Sequence, residues 1–152
     1  MAIKIVAIGK KHESWVEEGI RRYQKRLQKP FDVTWLLLPH SSKEGESARQ
    51  EESERLLARL RDDEYVVLLD ERGRNVSSPE LSAALLGPLE RSRTVVIIIG
   101  GAYGVDEVVR QRADFVWSLS NLVFPHQLVR LLLIEQIYRS AEIAAGHPYH
   151  HV

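Results

Sequence analysis

At 152 residues, with 44% hydrophobic and 28% charged residues, the chain has the size and composition of one globular domain, 1–152. Such a domain buries roughly two thirds of its unfolded surface. Its 21 Lys and Arg balance 21 Asp and Glu, so it is not a basic nucleic-acid binder as a whole; without cysteine it has no disulfide, thiolate nucleophile or cysteine-ligated zinc.

The opening MAIKIVAIGKK is too short and too charged for a secretory leader, and the longest apolar runs (94–99 and 131–134) are too short for a bilayer. A cytoplasmic protein is expected. IKIVAI (3–8) reads as a buried strand, and ESWVEEGIRRYQKRLQ (13–28) carries Trp15, Ile20, Tyr23 and Leu27 at helical spacing. FDVTWLLL (31–38) reads as a strand stopped by Pro39. A polar loop fills 39–47, and a charged helix over 48–61 turns Leu56, Leu57 and Leu60 inward. YVVLLD (65–70) is a third strand. Ser78-Pro79 opens a helix with proline at its first position, where the missing N–H costs nothing. TVVIII (94–99) is a strand, 106–112 a short helix and DFVWSLS (114–120) a fifth strand. A long helix then ends at Gly146.

Five strand–helix alternations predict an α/β fold, a parallel sheet with helices on both faces, because continuous apolar strands are buried on both sides. Ligands of open parallel sheets bind at the carboxyl ends of strands, here after Leu69, Ile99 and Ser118. Gly100, Gly101 and Gly104 would let backbone approach a ligand, although a bare strand-to-helix turn accounts for them equally well. The spacing is neither a dinucleotide fingerprint nor a P-loop. The loop from Leu119 to Phe124 is unusually apolar for that edge. A flat heteroaromatic ligand suits it, its edge bonded by loop amides and its faces against Leu119, Leu122 and Phe124; packing under a helix or subunit is the alternative.

Charge is uneven. Residues 1–29 hold eight Lys and Arg against three Asp and Glu, and Arg21, Arg22, Lys25, Arg26 and Lys29 cluster on the first helix. His12 and His40 read as solvated, Trp15, Trp35 and Trp117 as core or interface, and Arg130 as structural or interfacial. The last helix carries Leu128, Val129, Leu131, Leu132, Leu133, Ile134, Ile137 and Ile143 around more of its circumference than one sheet can bury, which predicts a homodimer.

IGGAYG, LSNLVFPHQLVRLLLIEQIYRS and the closing HPYHHV, with IKIVAIGK and YQKRL, resemble the RlmH family of SPOUT methyltransferases over the whole chain. The resemblance implies a C-terminal trefoil knot, a homodimer, S-adenosylmethionine as cofactor, and N3 methylation of a pseudouridine in 23S rRNA on the assembled ribosome. It places cofactor contacts at Leu69, at Gly100 with Gly101 beside it, and along Leu119, Ser120, Asn121, Leu122, Val123 and Phe124. His126 reads as the cap of the last helix, near the cofactor.

Methyl transfer from a sulfonium needs in-line positioning and loss of the N3 proton, and no metal. Glu135, Arg139, Tyr149 and His150 are the candidates for that work. Glu135 and Arg139 also read as an ordinary i,i+4 pair, and Arg139 as a grip on RNA phosphate or cofactor carboxylate. Arg21, Arg22, Lys25 and Arg26 of the basic first helix are the expected RNA-binding face, shared with the partner subunit. The histidine-rich tail could begin a metal site, but nothing stands out to complete it. The tail ends in His151 where the family usually has Lys or Arg, which weakens a phosphate contact there. Two further readings stay open: a SPOUT-like enzyme for tRNA or another RNA, and a silent dimer that only binds ribosomes.

Overall fold

The most apolar segments occupy the middle of the sheet. In the computed structural model, which describes residues 2–151, the strands are β1 (Ile3–Ile8), β2 (Val33–Leu38), β3 (Tyr65–Arg74), β4 (Val95–Ile99) and β5 (Phe115–Trp117). The helices between and after them are α1 (Ser14–Gln24), α2 (Gly45–Leu57), α3 (Ser78–Glu90), α4 (Glu107–Arg112) and α5 (His126–Ala144). All pairings are parallel, in the order β2-β1-β4-β3-β5. Every residue of β4 is buried, as a central strand covered on both faces requires.

Alternate side chains serve opposite faces. Ile3, Ile5, Ala7, Val95, Ile97 and Ile99 pack with α1, α3 and α5. Val6, Ile8, Val96 and Ile98 pack with Leu56 of α2 and Val109 of α4. The two helical layers therefore divide three to two, and the carboxyl edge of the sheet opens between them.

Several boundaries move. The α1 helix stops at Gln24, leaving Lys25 and Arg26 in the turn beyond it, and β2 begins at Val33. Ser77, not Ser78, caps α3: its hydroxyl accepts from the Glu80 amide (3.2 Å) while the Glu80 carboxylate accepts from the Ser77 amide (2.9 Å). Pro79 is then the second helical residue. The strand β3 runs on to Arg74, past the expected end at Asp70, with a bulge between Leu69 and Arg74 against β5. Gly73 makes this possible, because a β-carbon there would lie 2.7 Å from the Val116 carbonyl carbon and oxygen.

The apolar ring on α5 splits. Leu133, Ile134 and Ile137 are core, Val129 packs against them, and Leu131 packs there too, against Gly19. Arg130 is fully buried and structural: Nη1 donates to the Lys10 carbonyl (2.8 Å) and meets His12 Nδ1 (3.2 Å). His12 is thus not solvated. It is half-buried, edge-on to Trp35 at 4.7 Å. Trp117 is core, but Trp15 stands 54% exposed, because its side of α1 faces outward.

Candidate active site

Three strand ends meet in a cleft of about 590 Å³, within the range of small-molecule sites. Leu69 and Asp70 to Arg72 come from β3, Ile99 from the end of β4, Gly100 to Val105 from the turn after it, and Ser118 to Ser120 with Leu122 to Phe124 from the loop after β5; Val129 closes one side and Arg49 reaches in from α2. Of the cofactor positions expected from sequence, Leu69, Gly100, Gly101, Leu119, Ser120, Leu122, Val123 and Phe124 all line this cleft. Asn121 does not; its side chain is exposed outside it.

The turn is tight. The Gly104 amide donates to the Gly101 carbonyl (3.0 Å), and Gly104 has φ +75°, a region glycine enters freely. Gly101 has no room for a side chain: a β-carbon would sit 2.6 Å from Glu52 Oε1 and 3.1 Å from Ile8 Cγ2. The loop after β5 is held by its own hydroxyls. Ser118 Oγ donates to the Ser120 carbonyl (2.9 Å), and Ser120 Oγ accepts from the Leu122 amide (3.0 Å). Among the hydrogen bonds of the described residues the amides of Leu119, Ser120, Asn121, Val123 and Phe124 find no protein acceptor. Leu122 and Val123 are 70% and 82% exposed, an apolar lip beside the cleft.

His126 ties the two halves of the edge together. It is the first residue of α5 rather than its cap, and its Nε2 lies 3.2 Å from the Gly100 carbonyl. Burial first, and then the Arg130 guanidinium, lower its pKa, so at neutral pH the ring donates one proton to that carbonyl. Asp70, unremarked in the sequence, is held by Arg110 (2.8 Å) and Arg72 (3.4 Å) at the cleft wall.

The four catalytic candidates come together, but elsewhere. Arg139 grips Glu135 Oε2 through Nε (3.2 Å) and Nη2 (2.8 Å). Tyr149 donates to the same oxygen (3.0 Å), Gln136 donates to Oε1 (2.7 Å), and Arg139 Nη1 meets His150 Nδ1 (2.9 Å). The guanidinium also lies 4.8 Å from the centre of the Tyr149 ring, which packs edge-on to Tyr138. Desolvation, and then the bond to Glu135, push the Tyr149 phenol well above its usual pKa, so it stays neutral and donates. Within one chain this cluster is displaced from Val129 at the cleft by six to ten residues along α5, about 9 to 15 Å of helix rise. The i,i+4 pair is therefore real, and the tail makes it part of a larger group.

Arg21, Arg22, Lys25 and Arg26 are all exposed on and just beyond α1, the first three beside Trp15 and Glu18 and Arg26 near Tyr138 and Glu142; Arg21 has only an exposed partner, Glu17, at 3.7 Å. Among the described residues no group of three or more His, Cys, Asp or Glu could hold a metal ion, and no helix is long and apolar enough to cross a membrane.

Residues 1–150 match the family model described as Predicted SPOUT methyltransferase. Curated relatives named Ribosomal RNA large subunit methyltransferase H align over 99% of the chain. That of Desulfitobacterium hafniense is 41% identical over 162 residues, with 99% of its own length covered. That of Geobacter metallireducens is 43% identical over 157 residues (99% covered), and that of Dictyoglomus thermophilum 38% over 153 (100% covered). The glycine turn, the apolar loop and the full-length likeness agree: the chain belongs to the RlmH family of SPOUT methyltransferases.

Proposed function

We propose that the protein is a cytoplasmic homodimer that uses S-adenosylmethionine to methylate N3 of a pseudouridine in 23S rRNA on the assembled ribosome. The observation that carries this is the cleft at the carboxyl edge, with amides that have no protein acceptor along an apolar loop facing a glycine turn. The residues present fit the cofactor. Leu119, Leu122 and Phe124 would contact the adenine faces, the Val123 and Phe124 amides its edge, and Gly100 and Gly101 would admit the rest of the molecule. Bound there, the sulfonium supplies an activated methyl group. The family membership brings the trefoil knot as an expectation for the segment that forms this loop.

The chain's own residues prepare the acceptor. The Arg139 guanidinium, fixed by two bonds to Glu135, offers a fixed positive charge that favours the imide anion left when N3 gives its proton to solvent water. Glu135 Oε2 already accepts three hydrogen bonds and Oε1 a fourth, so this carboxylate orients Arg139 and Tyr149 rather than taking the proton itself. Tyr149, neutral, presents a ring for stacking.

The cluster lies too far along α5 to serve its own cleft, and this supports a composite site. Leu128, Leu132, Glu135 and Arg139 follow one another at i, i+4, i+7 and i+11. The two leucines are half-buried and lie outside both core clusters, so one stripe of α5 carries apolar surface for a partner and then the catalytic group. In a dimer packed on this stripe, the cluster of one subunit serves the cleft of the other.

Titration with S-adenosylmethionine and methylation assays on 70S ribosomes, free 23S rRNA and tRNA test the reading. Transfer to ribosomes alone is expected. Transfer to tRNA alone would favour the other RNA enzyme, and no heat with the cofactor would favour a silent ribosome binder. Composite assembly is tested by mixing a subunit lacking residues 147–152 with a Gly100→Val subunit. Each is inactive alone, and activity is expected in the heterodimer; verified heterodimers without activity would exclude sharing across subunits.

A further inference from the structure

Arg49 is the cation at the cleft with least to lose. It stands on α2, on the sheet face opposite α5, and is the α2 residue that lines the cleft. Its Nε is buried and has no hydrogen-bond partner. Its Nη2 meets only Glu46 Oε1 at 3.3 Å, and the Glu46 side chain is 87% exposed. Exposed pairs of this kind hold an arginine weakly. Arg72, the other basic residue on the cleft wall, is bound to Asp70, and Asp70 is in turn neutralised by Arg110. A buried N–H without an acceptor is costly in a finished site and marks a donor awaiting one.

The cleft has two chemically distinct ends. The apolar loop 119–124 leads into α5 on one face of the sheet, and Arg49 enters from α2 on the other, with the glycine turn between them. A ligand with a heteroaromatic ring at one end and a carboxylate at the other matches that polarity. Guanidinium groups bind carboxylates through two parallel N–H donors, and Nε with a neighbouring Nη is such a pair. Resting on the reading that the cleft takes S-adenosylmethionine, we infer that Arg49 swings from Glu46 onto the carboxylate of the methionine arm and sets the enzyme's preference for carboxylate-bearing ligands. The swing sacrifices an exposed ion pair and satisfies an idle donor.

The test compares two probes by isothermal titration: S-adenosylmethionine, and decarboxylated S-adenosylmethionine, which keeps the adenosine, sulfonium and amine. Arg49→Met should weaken the first by about tenfold or more, the scale of a missing charge-assisted pair, and leave the second within about twofold. Arg49→Lys should restore part of the difference, and Glu46→Ala should cost no affinity for either probe. Equal losses for both probes would make Arg49 merely structural, and no loss for S-adenosylmethionine would remove it from the site; both outcomes overturn the inference and leave the cofactor reading standing. Wild-type protein that binds neither probe would overturn the cofactor reading and this inference together.

Discussion

Gly101 lacks a side chain because Glu52 occupies the space. The Glu52 carboxylate is 3% exposed, Oε2 accepts from the Ser41 amide (2.9 Å), and Oε1 faces Gly101 without a partner. Gly101→Ala should cost about 1–3 kcal/mol, the scale of forced overpacking, and should weaken cofactor binding as the turn shifts. Denaturant unfolding of Gly101→Ala with and without Glu52→Ala checks the cause: the glycine change should cost clearly less when the carboxylate is gone, and equal costs in both backgrounds would put the strain elsewhere. Gly73→Ala has no such remedy, since its obstacles are the backbone atoms of Val116 and Trp117. Gly100, Gly101 and Gly104 were legible from sequence because they follow an unmistakable β-branched strand. Gly73 was not, since DERGR reads as a loop until β5 is seen beside it, nor was Glu52, one acid among many on a charged helix.

At the scale of elements, the first turn of α5 is built around histidines kept neutral. His126 meets the Gly100 carbonyl, His12 meets Arg130, and both have pKa values lowered by burial first and by Arg130 second. A histidine whose folded pKa lies below its unfolded value of about 6.5 binds its proton more readily in the unfolded chain. Its contribution is fully present above that value and is lost as pH falls toward the folded pKa. Unfolding free energy measured by denaturant should therefore drop between pH 7.5 and pH 5, and His12→Gln with His126→Gln should flatten that stretch of the profile. An unchanged slope in the double variant would assign the acid sensitivity to other groups. The sequence placed His126 at the start of this helix, as its cap, but carried no sign that His12, more than a hundred residues away, lies against its Arg130. That contact depends on how β1 and β2 sit beside α5, a tertiary fact with no local signature.

For the whole molecule, alternation and apolar strands were enough to read a parallel sheet with helices on both faces, because periodicity reports burial directly. What sits against the outer stripe of α5 was readable only as an excess of apolar residues. The structure narrows that excess: Ile137 is core, so it cannot serve as an interface probe, and Leu132 can. Leu132→Asp should give folded monomers in sedimentation at micromolar concentration with weakened cofactor binding, and a wild-type monomer under the same conditions would refute the dimer. Substrate capture follows from charge placement. The chain carries no net charge, so attraction to RNA rests on the exposed Arg21, Arg22, Lys25 and Arg26, doubled when two copies present them together. Reversal of Arg22, Lys25 and Arg26 to Glu should leave S-adenosylmethionine affinity intact, since none of the three lines the cleft. It should weaken ribosome binding and make it less salt-dependent, the slope of log K against log salt falling by roughly one for each phosphate that is no longer neutralised. Methylation of ribosomes that proceeds in this variant at the wild-type rate and with the wild-type salt response would mean that α1 faces solvent in the complex and that RNA approaches from another side.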